Sequence, residues 1–470
     1  MKTILTKQID SLPCDNPIPV NYSEIPVIEK SDYEKRFQYL RQLMDANSYS
    51  HLIIYGDREH FSNLHYMTGL DPRFEEALLI IKKDTKPVLL LGNECYVYAN
   101  MIRADIDIEL FEPFSLIGQP YNKNNKLSDL FKKIGFDNNS RVGVVGWKYY
   151  PKHLFDIKAD IIDIPHYIIE TLRLYTPIDN IKNATDLFND VNYGVKHQLS
   201  AKDIVHFEMA GTKASRSVYN VLKNLKEGML EIEASAYFNF DGEPIATHPN
   251  ISFGDFNTGL GVASPLYHQK LKTGDMVAVG VGFRGSLVHK AGMFIKDERE
   301  IVKEKSHYIE KIVKPYFSSI VAWYEAIKIG NTYGAVYDLV DDIIGIKEFG
   351  ITLNPGHLIH TDEWTNSPFQ KGNKDVIKSG VAIQCDYTVS FSDPFMSSHV
   401  EDGIVVADKE LREEIKRISP GCYQRIEKRR EFMKDALNID IADEVLPMSD
   451  LSAVCFPYFK DLRTILVASD

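Results

Sequence analysis

A chain of 470 residues is too long for one ordinary core and fits two or three domains of roughly 150 residues each. With 44% hydrophobic, 26% charged and 11% aromatic residues it has the composition of a soluble globular protein, which excludes a long disordered chain and a fibrous one. A net charge of −12 repels phosphate backbones over most of the surface, so no nucleic acid is expected as a partner.

The sequence up to Cys14 lacks the apolar core of about 7–15 residues that marks a signal peptide. No apolar run reaches the roughly 18 residues of a membrane helix, so no membrane association is expected. Cys14, Cys95, Cys385, Cys422 and Cys455 are scattered and form no CxxC pair, which fits a reducing compartment. A cytoplasmic protein is the expectation.

In chain order, Tyr33, Phe37, Leu40 and Leu43 recur at helical spacing, and short apolar runs at 51–55, 77–81, 88–91, 142–145 and 161–164 read as strands. This predicts a mixed α/β domain over residues 1–175. Residues 176–200 turn polar and read as a linker, ending where Ser200 and Asp203 make a helix start. Beyond it, helical patterns cover 201–225, 231–240, 304–328, 335–344 and 409–436. Strand-like stretches occupy 250–253, 276–281, 287–295, 381–389 and 399–406. Helices interrupted by antiparallel-looking strands predict an α+β domain over 201–470. Gly280, Gly282 and Gly285 lack the strand–turn–helix context of a dinucleotide fingerprint and read as a tight hairpin. Neither GxxxxGK[ST] nor GxSxG is present, so an NTPase and an α/β-hydrolase are unsupported. Arg412, Lys416, Arg417, Arg425, Lys428, Arg429 and Arg430 mark the 409–436 helix with a basic face, read as solvated or dimer-bridging.

Two sets of residues meet a family pattern. Residues 56–81, with Asn63, Tyr66, Thr68 and Gly69 in an N-x-x-Y-x-T-G segment before an apolar strand, resemble the N-terminal domain of the creatinase, prolidase and aminopeptidase P group. Residues 271–294, 354–368 and 379–407 are similar, in order, to the three catalytic segments of its pita-bread domain. The resemblance implies an α/β N-terminal domain, an α+β pita-bread C-terminal domain carrying any active site, and commonly a homodimer. In that family two Asp, a His and two Glu hold two divalent metals that activate a bridging water.

The ligand set that the resemblance implies is altered here. Five residues beyond Asp275, where the first Asp belongs, stands Gly280; the second Asp position is His289. The hairpin between them is two residues shorter than usual, which preserves which side chains face the same way. His357 in Pro355-Gly356-His357 matches the ligand histidine, Asp386 takes the place of the first Glu, and Glu401 matches the last. His289, His357, Asp386 and Glu401 would suit at most one ion, of Zn, Mn or Fe type, or none if the residues are only hydrogen-bonded to one another. Trp364-Thr365 replaces the family's HE pair, and its other catalytic histidine falls on Val262–Ala263. Candidate replacements for proton handling are His248, His360 and the adjacent Asp362-Glu363, with Trp364 as an aromatic wall of the pocket.

These changes point away from ordinary Xaa-Pro peptidase chemistry. The expectation is a hydrolase or lyase acting on a small polar C–N compound. The alternatives are a catalytically inactive pita-bread binding module and an Xaa-Pro aminopeptidase- or dipeptidase-like enzyme taking short peptides.

Overall fold

The structure is a computed structural model that describes residues 2–156, 160–254 and 261–469. The chain divides into two units, residues 27–197 on one side and residues 198–470 with the segment up to Pro26 on the other. This differs from the expected division at both ends. Strand Thr3–Gln8 pairs antiparallel with Thr464–Ser469, which commits the N-terminal segment to the C-terminal unit. Residues 176–197 are no linker, because Ile181–Asn183 extends a sheet by pairing in parallel with Val142–Val145, and Leu187 and Phe188 are buried.

In the unit 27–197, helix Lys30–Ala46 buries Tyr33, Phe37, Leu40 and Met44, the one apolar stripe its spacing provides. A six-stranded sheet runs in the order Asp107–Leu110, Val88–Leu91, Ala77–Lys82, His51–Gly56, Val142–Val145, Ile181–Asn183. The run 161–164, expected as a strand, forms none. Its polar groups bond elsewhere: the Asp163 carboxylate accepts from Trp147 and Lys148 backbone N–H, and Ile161 O accepts from Asn183 Nδ2. The family-like motif here is structural. Asn63 Nδ2 donates to Gly146 O at 2.8 Å, and Gly69, at φ +74°, ends helix Ser62–Thr68.

The larger unit is built on an eight-stranded sheet whose path runs His357–Leu358, Val381–Cys385, Phe395–Val406, Ser286–Met293, Met276–Phe283, Ile245–Phe253. The middle two strands of the Gly-rich hairpin meet through the two residues Arg284 and Gly285, the latter at φ +106°. Helix Ala201–Asn224 starts at the Ser200–Asp203 capping box and buries most of its length. Among the described residues, no helix is long and apolar enough to cross a membrane.

The basic run 409–436 breaks at Ser419–Pro420 into Lys409–Ile418, where Lys416 and Arg417 are exposed, and Pro420–Asp435, where the reading as a solvated or bridging face is corrected for three arginines. Arg425, Arg429 and Arg430 are buried. Arg425 and Arg429 converge on the fully buried Glu208 of helix Ala201–Asn224; Arg429 Nη1 lies 2.7 Å from Glu208 Oε1, and its Nε donates to Asp450 Oδ1 at 2.8 Å. Arg430 Nη1 donates to the carbonyls of Ala442, Asp443 and Val445. Guanidinium groups tolerate such sites because their fork fills with acceptors. Replacing Glu208 by Ala leaves the buried Arg425 without its carboxylate and Arg429 with Asp450 alone, so Glu208→Ala should lower the unfolding free energy by about 3–5 kcal/mol in denaturant titration. A loss below 1 kcal/mol would show that the arginines find other partners.

Candidate metal centre

The sheet register of the larger unit fixes the site. His289 pairs with Glu401 on one side and Gly280 on the other, and Ala291 pairs with His399. His357 pairs with Gln384, which in turn pairs with Gly403. Side chains alternate along a strand, so His399 and Glu401 share a face, as do Gln384 and Asp386. Lys290 and Asp402, one residue along, point the opposite way and form a buried ion pair at 2.5 Å, to which Ser449 Oγ donates at 2.6 Å. The sheet thus keeps its structural charge pair on one face and its chemically available groups on the other.

On the latter face, His357, Asp386 and Glu401 each bring an atom within 4.8 Å of one another, and so do His289, His399 and Glu401. His357 Nδ1 contacts Leu358 O at 3.2 Å, which turns Nε2 toward the carboxylates, 3.0 Å from Glu363 Oε1, 3.6 Å from Asp386 Oδ2 and 4.0 Å from Glu401 Oε1. That buried nitrogen makes no well-directed hydrogen bond. Trp364 stacks on the His357 ring, centroids 4.1 Å apart and planes at 15°. His399 Nε2 lies 2.9 Å from Asp386 Oδ1, and its Nδ1 lies 2.7 Å from His289 Nδ1. His289 Nε2 meets Gly261 O at 3.0 Å. Gln384 Nε2 donates to Glu401 Oε1 at 3.1 Å and to Leu287 O at 2.8 Å.

Burial and charge set the protonation. Burial, reinforced by the charges of Asp386 and Glu363, holds the Glu401 carboxyl well above the usual range. Burial also pushes Asp386 up, but the His399 hydrogen bond and charge, with His357 and His289, bring it below its ordinary value. For His357, burial is outweighed by the charges of Glu363 and Asp386, and the ring holds its proton more tightly than a free imidazole. Burial, then the charge of His399, lowers His289 to about 3, so that ring is neutral.

Among the residues singled out from the sequence, His289, His357, Asp386, Glu401 and Trp364 are brought together. His248 is exposed and bonds Ser264 Oγ at 3.1 Å; His360 is buried, edge-on to Phe207, with Nδ1 3.3 Å from Thr361 Oγ1. His399 and Gln384 were not singled out. Each stands two residues before a carboxylate that was, and strand alternation alone places it on the same face.

No sequence-family model matches the chain, and no curated protein matches it in sequence. Solved structures do. The prolidase from Pyrococcus horikoshii aligns with a TM-score of 0.60 at 18% identity over 79% of this chain and 95% of its own. The prolidase from Thermococcus sibiricus aligns at 0.62 and 15% identity over 80% and 95%, and the X-Pro aminopeptidase from Thermotoga maritima at 0.58 and 13% over 79% and 95%. The chain has the pita-bread fold of the prolidases and aminopeptidase P. At these identities the likeness carries the architecture, while the chemistry rests on the side chains above.

Gly280 has a further role in this fold. A Cβ there would run into the His289 ring closer than real Cβ contacts come, so the missing side chain makes room for the imidazole. Gly280→Ala should therefore displace His289 and cost about 1–3 kcal/mol of stability in thermal or denaturant unfolding. An unchanged stability would mean that the ring has space to move.

Proposed function

We propose that the protein is a hydrolase of C–N bonds in small polar substrates, working with one divalent cation held by His357, Asp386 and Glu401. The observation that carries this reading is the His357 Nε2 atom. It is fully buried and faces three carboxylates, Glu363 at 3.0 Å, Asp386 at 3.6 Å and Glu401 at 4.0 Å, so the proton drawn to it stands where a cation would take its place. Imidazole nitrogen with carboxylate oxygen suits Zn, Mn or Fe. Such a cation, when bound, polarises a substrate carbonyl and lowers the pKa of water.

The remaining work belongs to the chain. Gln384 Nε2, anchored on Leu287 O, donates to Glu401 Oε1 and orients that carboxylate. Trp364 fixes the plane of His357 and offers its other face to a flat or cationic group. Glu363 is 27% exposed, against 10% for Asp386 and 6% for Glu401, so it is the carboxylate open to exchange with substrate and solvent. In the proposed reaction Glu363 Oε1 takes a proton from the attacking water as the C–O bond forms. The same oxygen then gives it to the nitrogen that leaves as the C–N bond breaks.

Glu363→Gln should retain metal content and lower kcat by about 10²–10⁴ on any amide or amidine the wild type hydrolyses, in a panel including proline dipeptides. A wild type that binds metal yet hydrolyses nothing in that panel would favour a binding module instead.

Metal uptake should also be pH-dependent. His357 and Glu401 both hold protons above their ordinary pKa values, and those protons must leave when the ligands bind a cation. Affinity therefore falls as pH drops. Calorimetry in buffers of different ionisation enthalpy should find tighter binding at pH 8 than at pH 6 and release of at least one proton; pH-independent binding without release would contradict the ligand set.

A further inference from the structure

The larger unit holds a cavity of about 290 Å³ away from the metal centre. Lys213, Arg216 and Ser217 stand at i, i+3 and i+4 of helix Ala201–Asn224, so they share one helix face, and they form the polar side of the cavity. Val20, Tyr22 and Phe283 form an apolar side, with Lys213 Nζ 5.2 Å from the centre of the Tyr22 ring. Phe283 comes three positions after Gly280 on strand Met276–Phe283, and strand alternation turns it to the face opposite His289. The sheet thus lies between this cavity and the cluster around Glu401.

The two ends of the cavity carry opposite charge in excess. At one end Arg216 gives Nε to Asp450 Oδ2 and Nη2 to Ile18 O, both at 2.8 Å, and among the described residues its Nη1 has no partner. Arg216, Arg425 and Arg429 have Glu208 and Asp450 between them, three guanidinium groups on two carboxylates. Ser217 Oγ, next to Arg216, also makes no hydrogen bond among the described residues. At the other end a single ammonium, that of Lys213, serves the two carboxylates of Asp241 and Glu243, and Asp241 lines the cavity while 48% exposed. One end has spare N–H and O–H donors and a surplus positive charge; the other has a carboxylate open to solvent and a surplus negative charge. Lys213 and Arg216 are helix neighbours with roughly 5–6 Å between their Cβ atoms, so one small molecule spans both ends. We infer that this cavity binds a free α-amino acid with an apolar side chain. Its carboxylate accepts from Arg216 Nη1 and Ser217 Oγ, its ammonium donates to Asp241, and its side chain lies against Val20, Tyr22 and Phe283. The volume stands at the lower end of small-molecule sites, which begin at roughly 300 Å³, and so suits one amino acid better than a peptide. The inference does not rest on the metal reading.

The test is equilibrium dialysis of the full chain against radiolabelled leucine, with unlabelled glycine, N-acetyl-leucine, leucinamide and acetate as competitors. Leucine should bind. Glycine lacks the side chain, N-acetyl-leucine the ammonium, leucinamide the carboxylate, and acetate all but the anion, so each should compete about 10-fold or more weakly than unlabelled leucine. Arg216→Gln and Asp241→Asn should each weaken leucine binding by about 10-fold or more after circular dichroism has confirmed folding; Ser217→Ala is the second variant if Arg216→Gln does not fold. His357→Ala removes a ligand of the proposed cation and should leave leucine affinity unchanged. Loss in His357→Ala with none in Asp241→Asn would put the amino acid at the metal centre and overturn the inference. Competition by N-acetyl-leucine or acetate as strong as that by leucine would reduce the cavity to an anion site and overturn it too, as would no leucine binding at millimolar concentration. Each of these outcomes leaves the question of metal uptake where it stands.

Discussion

The antiparallel register that sets His289 opposite Glu401 is the constraint from which the rest of the site follows. Because strand side chains alternate, that one pairing sends His289, His399 and Glu401 to one face and Lys290 and Asp402 to the other. A slip of one residue would exchange the two sets, putting a lysine among the carboxylates. The short turn at Arg284-Gly285 holds the hairpin in this register, and Gly280 leaves the space into which the His289 ring fits.

Three of the buried charge clusters in the larger unit serve different purposes. Lys290–Asp402 and the Glu208–Asp450–arginine network are fully partnered and tie elements of the unit together. The third place, around Asp386 and Glu401, is not closed in the same way. Asp386 lies below its ordinary pKa beside His399, whereas Glu401 is held far above its own by burial and by its carboxylate neighbours. A site that forces a carboxylate to keep a proton is one in which a cation can take the proton's place.

Much of this was legible in the sequence, since the motif segments fall on adjacent strands and the positions of His289, His357, Asp386 and Glu401 follow from their spacing to them. What escaped had a physical cause. His399 and Gln384 match no ligand pattern and become visible only once strand alternation is applied outward from Glu401 and Asp386. The arginines of 420–435 looked solvated because composition does not reveal that Glu208, some two hundred residues earlier, lies against the same helix. Residues 161–164 have strand composition, but Ile161 O is taken by the Asn183 side chain, and the neighbouring sheet position goes to 181–183. The N-terminal strand belongs to the C-terminal unit through a pairing that links the two ends of the sequence.

The central claim is that this cluster holds one cation, on His357 and not beside Gly280. Anomalous diffraction at the zinc edge from crystals grown with zinc tests it most directly. The account predicts one peak per chain at the centre, within bonding distance of His357 Nε2, Asp386 and Glu401, with His289 still on Gly261 O. Two peaks per chain, or a single peak bonded to His289, would contradict it.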